Sequence, residues 1–517
     1  MSLPYCAARR GGHERCPELF CTHPKVHSKG HRVNASICRT CPYISPVPPD
    51  EFRALPASRR QLSRRPNLEI VVAKYREDVS WLKRFSGVRV TMYDKGATGE
   101  PNSLPNVGRE AHTYLYHIIE RYDSLAEMTV FIQGHPFDHI PSPDDVIWAL
   151  DADTEYQDLC DHVLIEDRHG EPIQPGLPLG DFYERVFNNT SPDHFLSHAA
   201  ACFAVSAEAI RQHSKDYYRH LMQAVLDEPL GPWAIERLWE TIFRTTSQTE
   251  GIVTAADAGY FQDLQFLIRS LEHFESRPVA VFDLGMHPEQ REWLLERAGV
   301  SVLKPPTTFR PFSSVIGEKD WQLWFKPLLI YQSPFDRPLW IDADCVVLSP
   351  LDDAFGCMGE SLLVCTDTTE APVENSPGLY ETLQIPADVK PTGIRLNSGV
   401  VGLCRVRDRQ LLNSWAYGVQ KACIEPRLKS QVLWGDQGIL LWSVLHHRMT
   451  DMIQSNERWN QPATTLPTML ADSARAGHCL LDEFRKRYPA AAILHWLGIY
   501  KLSHQLTVQL EHLFSQE

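Results

Sequence analysis

The sequence predicts an α/β protein: two Rossmann-related α/β units preceded by a small Cys-rich metal-binding module. Three observations predict it. Short β-branched runs alternate with helical patterns twice along the 517-residue chain. Cys6, Cys16, Cys21, Cys38 and Cys41 crowd the first 45 residues, with His13, His23, His27 and His31 interleaved. A Pro- and Arg-rich stretch over 46–66 reads as the linker between that cluster and the rest.

The first element is the Cys/His-rich module, 1–45. Cys38-Arg-Thr-Cys41 has the C-x₂-C spacing that lets two thiolates grip one tetrahedral ion, and Cys16 and Cys21 form a looser pair. So short a segment with little apolar content cannot build a core alone, so bound metal would supply its folding energy. Structural Zn²⁺ on Cys16, Cys21, Cys38 and Cys41 is expected, with Cys6 and His23 in reserve. An iron–sulfur cluster is the other occupant such ligands suit.

The first α/β unit, 67–246, is expected to place strands over 68–73, 88–93 and 128–133, with a helix over 107–122 and further helices over 191–227 and 232–244. The second, 250–510, repeats the pattern. Strands are expected over 251–255, 279–283, 300–303 and 337–342, and helices over 260–274, 288–298 and 321–331, with parallel pairing. Hydrophobic residues make up 43% and charged residues 22%, an ordinary globular balance. A net charge of −14 argues against non-specific nucleic-acid binding, which needs a basic surface. No apolar run approaches the ~18–20 residues that span a bilayer, and the start, MSLPYCAARRGGHERC, has no apolar stretch that would make a secretory leader. A soluble, cytoplasmic protein is expected.

The most informative segment is Leu339-Trp-Ile-Asp-Ala-Asp344. An apolar strand delivers two carboxylates at its carboxyl end, and alternate residues of an extended chain point the same way. Asp342 and Asp344 are therefore expected to face one divalent cation, Mg²⁺ or Mn²⁺, which would remove the cost of placing two like charges together.

Residues 251–501 resemble family 8 glycosyltransferases and their relatives, which have a GT-A fold. Four pieces carry the resemblance, in the family's order: the Asp342-x-Asp344 strand; Asn397-Ser-Gly-Val-Val-Gly-Leu403; Trp434-Gly-Asp-Gln-Gly438; and His495-Trp-Leu-Gly-Ile-Tyr-Lys501. The resemblance implies a metal-dependent, retaining transfer of a sugar from a nucleotide-sugar donor, with UDP as the nucleotide, to an unidentified acceptor. It makes Asp342, Asp344 and His495 the cation ligands, with Ala343 beside them. Asn397, Ser398 and Gly399 would line the sugar site, Asp436 and Gln437 would position sugar hydroxyls or acceptor, and Gly498 and Lys501 would hold the departing diphosphate. Thr254 and Ala255 would line the base pocket, Asp257 would accept from base or ribose, and Tyr260 would stack on the base. The residues alone leave Asp257 equally readable as a helix cap, and Lys326 as a donor contact or a surface lysine. The other functions open to such a chain are an inactive sugar-binding scaffold and a nucleotide-sugar hydrolase.

Residues 67–243 resemble a family of uncharacterised, distantly GT-A-like domains known from fungi and bacteria. The matching segments include Val71-Val-Ala-Lys-Tyr-Arg-Glu-Asp-Val-Ser-Trp81, Leu104-Pro-Asn-Val-Gly-Arg-Glu-Ala-His-Thr-Tyr-Leu115 and Val130-Phe-Ile-Gln-Gly-His-Pro-Phe-Asp-His139. Arg109, His112 and Tyr116 share one polar helical face at i, i+3 and i+7. Gln133 and His135 leave a strand end, where sites of α/β sheets collect. Arg109, His112, Gln133 and His135 are thus a second candidate site, which would make the chain bifunctional if it is catalytic and an acceptor-presenting domain if it is not.

Overall fold

The computed structural model describes residues 9–10, 19–21, 31–33, 67–96, 99, 101–150, 154–244, 249–308, 321–367, 395–425, 428, 435–454, 456–462 and 486–496. Two compact units are present: Met1–Pro66 with Asp144–Asp153, and Asn67–Pro143 with Thr154–Glu517. In the first, strands β1 (Arg9–Arg10), β2 (Leu19–Cys21) and β3 (His31–Val33) form an antiparallel sheet in which the Cys21 backbone lies between Arg9 and His31. Cys6, Cys16, His23, Cys38 and Cys41 lie outside the described residues.

The second unit contains both α/β sheets. In one, β4 (Leu68–Lys74) pairs in parallel with β5 (Arg89–Asp94) on one side and β6 (Met128–Gln133) on the other. Strands β7 (Tyr156–Asp158) and β10 (Phe203–Ser206) extend that sheet on the β6 side, in the order β5-β4-β6-β10-β7. Helix α1 (Arg109–Arg121) crosses from β5 to β6, burying Ala111, Tyr114, Leu115 and Ile118 at helical spacing. Its start needs a left-handed residue, which Gly108 supplies at φ 60°. Helices α2 (Lys215–Asp227), α3 (Gly231–Glu236) and α4 (Trp239–Phe243) follow β10. The helix expected over 191–227 is broken by two strands, β9 (His194–His198) and β10. Between them Ala200 and Ala201 take left-handed φ values of 77° and 46°, which interrupt any right-handed helix.

The second sheet runs β13-β12-β11-β15-β18-β17-β19. Strands β11 (Glu250–Ala256), β12 (Val279–Asp283), β13 (Val300–Leu303) and β15 (Arg337–Ile341) pair in parallel, as expected from their alternation with helices α5 (Phe261–Phe274), α6 (Pro288–Leu295) and α7 (Lys326–Gln332). Strand β18 (Leu396–Gly402) joins antiparallel to β15 and is buried at all seven positions. Strands β17 (Leu363–Thr366) and β19 (Ile453–Gln454) complete the edge. A small sheet, β16 (Cys345–Val347), β21 (Ile493–His495) and β20 (Gln461–Pro462), leaves the main one.

A third sheet, β14 (Thr307–Thr308), β8 (His162–Asp167) and β9, joins the two halves, because β14 comes from the second and the others from the first. Val163, Ile165 and Leu196 of that sheet share one apolar core with Trp324, Trp340, Trp415 and Trp442. Buried polar groups cross the same seam. Arg405 reaches Glu240 at 2.6 Å and Arg244 reaches Asp336 at 2.7 Å. Burial pushes the Glu240 carboxyl up, yet Arg405 and Arg244 outweigh it and hold it down at about 2.

Ser414 Oγ, on helix α8 (Arg409–Ile424), lies 3.1 Å from His194 Nδ1 and 2.8 Å from His447 Nε2. Burial lowers both imidazoles, His194 to about 3 and His447 to about 4. They are neutral when folded at pH 7, and unfolding below pH ~6.5 lets them bind protons. Their contribution to stability is present above that pH and falls away as pH drops through 6 towards 4, by up to about 1.4 kcal/mol per pH unit for each group. His198, raised by Asp158 against the opposing effect of burial, keeps its contribution in that window. His447→Gln is expected to flatten the fall of Tm between pH 6.5 and 4. An unchanged slope would remove His447 from the account.

Candidate functional site

The second sheet ends its strands at one cluster of charge. Strand β15 delivers Asp342, whose backbone N–H donates to Gly399 O of β18 at 2.8 Å. The chain then turns: Cys345 N–H donates to Asp342 O at 3.1 Å, closing a four-residue turn over Asp342–Cys345. Strand β16 leaves this turn and pairs antiparallel with β21, Cys345 opposite His495. That register sets His495 Nε2 3.2 Å from Asp344 Oδ1.

The turn changes the expected arrangement of the acids. Strand alternation would point Asp342 and Asp344 the same way, but the chain is no longer extended between them. Asp344, Cys345 and His495 hold their ligand atoms within 4.8 Å of one another, a group that does not include Asp342. The Asp342 carboxylate turns to Lys326 Nζ, 2.9 Å away, and accepts from Trp340 Nε1 at 2.6 Å.

Lys326 is no surface residue. It opens α7 only 7% exposed and donates to Ser398 O at 2.8 Å and Ser398 Oγ at 2.9 Å. Burial would lower its pKa, but Asp342, Asp436 and Asp344 around it raise it further and keep it charged. Asp436, at the start of helix α9 (Asp436–His446), is pushed up to about 6 by burial, with Lys326 opposing and Asp342 adding to the rise. Its Oδ2 is buried without a hydrogen-bond partner among the described residues. Burial raises the Asp344 carboxyl as well, but the charge and hydrogen bond of His495 prevail and hold it low. Three carboxylates thus gather around one lysine and one histidine, an acidic excess in a buried place.

A supporting layer aims the imidazole. His495 Nδ1 lies 2.9 Å from Asn460 Oδ1, and Asn460 Nδ2 donates to Asn397 Oδ1 at 3.0 Å. Asn397 Oδ1 also accepts from Gly399 N–H at 2.8 Å, so Asn397 acts here through Asn460. Gln437 Oε1 accepts from Ser398 N–H at 3.1 Å, and Trp496 Nε1 donates to Asp263 Oδ1 at 2.9 Å. Asn460, Asp263 and Trp340 escaped the sequence analysis. The only signal any of them gives there is that Trp340 stands two places before Asp342 on the same strand.

On β11 and after it, Thr254 is buried with its Oγ1 unpartnered among the described residues, Ala255 is half-buried, and Tyr260 is 47% exposed beside the site. Asp257 Oδ1 accepts from the Gly259 and Tyr260 amides at 2.8 and 3.1 Å, so one carboxylate oxygen serves the turn into α5. Ala343 is buried within the Asp342–Cys345 turn. Gly498 and Lys501 lie outside the described residues.

The members of the second candidate group each have partners of their own. Gln133 Nε2 donates to Ala200 O at 2.6 Å, beyond the end of β6. The Arg109 guanidinium lies 4.9 Å from the Trp233 ring centroid. His112 is buried, its pKa lowered to about 4 by burial and by Lys95. His135 is exposed, edge-on to Phe137.

A family profile described as "Protein of unknown function (DUF3431)" matches residues 70–161 and 158–256. No curated protein matches the sequence. Among solved structures, the chain is similar to the galactosyltransferase LgtC in complex with donor and acceptor sugar analogs, at 18% identity and TM-score 0.34 over 52% of this chain and 95% of that one. It is also similar to the bifunctional glycosyltransferase WbbM, at 11% identity and TM-score 0.36 over 87% of this chain and 98% of that one. Mouse xyloside xylosyltransferase 1 is similar at 15% identity and TM-score 0.31, over 48% and 98%. These scores carry no argument about activity, which rests on the residues.

Gly399 sets a steric test of the site. A Cβ there would sit 2.3 Å from His495 Cε1 and 2.6 Å from Nδ1. Gly399→Ala is expected to displace the imidazole and to destabilise the fold by about 1–3 kcal/mol, the usual cost of overpacking. Denaturant unfolding measures it, and a variant as stable as wild type would mean the His495 ring is not held against β18.

Proposed function

We propose that the chain is a metal-dependent glycosyltransferase that moves a sugar from a nucleotide-sugar donor, with UDP as the nucleotide, to an acceptor with retention at the anomeric carbon. The observation that carries the proposal is the unbalanced carboxylate cluster: Asp344 beside His495, Asp342 on Lys326, and an Asp436 Oδ2 with no partner among the described residues. The donor set fits a divalent cation. Two ligand atoms 3.2 Å apart suit neighbouring positions on one ion with bonds of about 2.1–2.3 Å. An imidazole nitrogen with carboxylate oxygens suits Mn²⁺ or Mg²⁺.

Asp344 and His495 would hold the cation, with Asp342 joining them by turning from Lys326. When bound, the cation would neutralise diphosphate charge as the sugar–oxygen bond breaks. Lys326 keeps a fixed positive charge within the site, and Lys501 and Gly498 are assigned to the departing diphosphate. Asn460 holds the His495 ring in place through Nδ1, as the hydrogen-bond partners of metal-binding histidines do. Tyr260 offers an open ring for the base, beside Thr254, Ala255 and the free edge of Asp257. Asp436 and Gln437, flanking Ser398, would position sugar or acceptor hydroxyls. The proposal extends to a structural Zn²⁺ in the N-terminal module and to a cytoplasmic location. No described helix is long and apolar enough to cross a membrane.

A thermal-shift panel of nucleotide sugars with and without Mn²⁺ tests the donor site. Ligand at 100 times its Kd stabilises the folded state by about 2.7 kcal/mol. A UDP-sugar is expected to raise Tm only when Mn²⁺ is present, and Asp344→Ala or His495→Ala is expected to abolish that rise and donor turnover. No response to any nucleotide sugar in wild type would sink the proposal. Metal analysis of the purified full chain tests the module: about one zinc is expected, lost in Cys38→Ser.

A further inference from the structure

His495 has two ring nitrogens, and only one of them can face a cation. Nε2 lies 3.2 Å from Asp344 Oδ1, and Nδ1 lies 2.9 Å from Asn460 Oδ1. A nitrogen that binds a metal ion has no proton, and the other nitrogen of the ring then carries one. Which nitrogen takes which part is set by the hydrogen bonds around the ring.

Those hydrogen bonds form a chain with one direction, and it starts at the main chain. Gly399 N–H donates to Asn397 Oδ1 at 2.8 Å, and a backbone N–H can only donate. The Asn397 carboxamide is therefore held with its oxygen towards Gly399. One end of the Asn460 carboxamide lies 3.0 Å from that oxygen and 3.3 Å from the main-chain oxygen of Asn397, so this end is the NH₂ group. The other end, Oδ1, is thereby turned to His495, where it can only accept. Nδ1 is then the donor, and the backbone amide has dictated every step after it. Water does not compete, because Asn397, Asn460 and His495 are all buried. Strand pairing holds the parts in place: Asn397 and Gly399 stand on β18, and Asn460 directly precedes β20, whose Pro462 lies opposite His495 of β21.

We propose that Asn397 and Asn460 are positioning residues that hold His495 as an Nδ1–H donor and so reserve Nε2 for the cation. Without the Asn460 acceptor the ring would settle the other way. A carboxylate 3.2 Å from Nε2 draws the proton to that nitrogen, and a protonated Nε2 has no lone pair to give a metal ion. The chain also commits Asn397. Its Oδ1 accepts from Gly399 N–H and from Asn460 Nδ2, which fills both lone pairs and leaves none for a sugar hydroxyl. The cation half of this inference rests on the transferase reading; the placing of the proton on Nδ1 does not.

The experiment is proton–nitrogen correlation spectroscopy of the full chain carrying isotope-labelled histidine, metal-free and with saturating Mg²⁺, the His495 signals being identified by their absence from His495→Gln. An Nδ1–H cross-peak protected from exchange is expected in both states. Asn460→Leu is expected to lose that cross-peak and to weaken Mn²⁺ binding, read by electron paramagnetic resonance, by about 10–100-fold, the usual effect of removing such a partner. Asn460→Asp keeps an acceptor at Nδ1 and is expected to keep the cross-peak, a rescue that general damage to the fold would not give. Should the leucine variant fail to fold, wild type and the aspartate variant decide. A wild type without a protected Nδ1–H overturns the proposal, and so does an aspartate variant that folds without one. So does a leucine variant that keeps the cross-peak or binds Mn²⁺ as tightly as wild type. Cross-peaks that behave as expected in a chain that binds no Mn²⁺ would support the assignment of the proton and count against the transferase reading alone.

Discussion

Lys326 is buried among Asp342, Asp344 and Asp436, and the second sheet is arranged around that fact. An ammonium taken out of water is tolerable only where its charge and its three donors are matched. Two donors go to Ser398 and one to Asp342, which ties helix α7 to strand β18 and to the end of β15. One lysine and one histidine face three acids, so the cluster keeps a negative excess that a cation would relieve. Burial, with Asp342 adding to it and Lys326 opposing, pushes Asp436 towards the neutral form.

Strand β18 carries much of this arrangement. Its seven buried residues place Ser398 under the lysine, Asn397 against Asn460 and Gly399 against the His495 ring. A strand so enclosed cannot shift without moving Asp342, lysine and imidazole together, which is what a preorganised charged site needs. The turn after Asp342 adds division of labour: one acid faces the lysine and the other the imidazole.

The two α/β sheets are not beads on a string. They share an apolar core through β8, β9 and β14, and the buried pairs of Glu240 with Arg405 and of Arg244 with Asp336 cross the same seam. Charge pairs out of water are costly to break singly, so the halves hold a defined relation within their compact unit.

Strand and helix alternation was legible wherever apolar runs were long and bounded by turn residues. Strands 128–133, 279–283 and 300–303 appear with the bounds expected. The strands at 194–198 and 203–206 were not, because their pairing partners are remote and the break between them lies in two alanines, residues that favour helix when nothing else decides. His495 beside Asp344 was foreseeable from a strand ending in histidine. The direction of Asp342 was not, since a turn replaced the expected alternation. Asn460 gave no local signal, as it acquires its role from neighbours far along the chain. The sequence by itself determined the α/β class, the order of the strands along the chain and the presence of paired acids at a strand end, because these follow from local periodicity. Which acid meets which cation, and which polar group is left buried without a partner, only the tertiary structure decided, because burial and long-range pairing set the electrostatics.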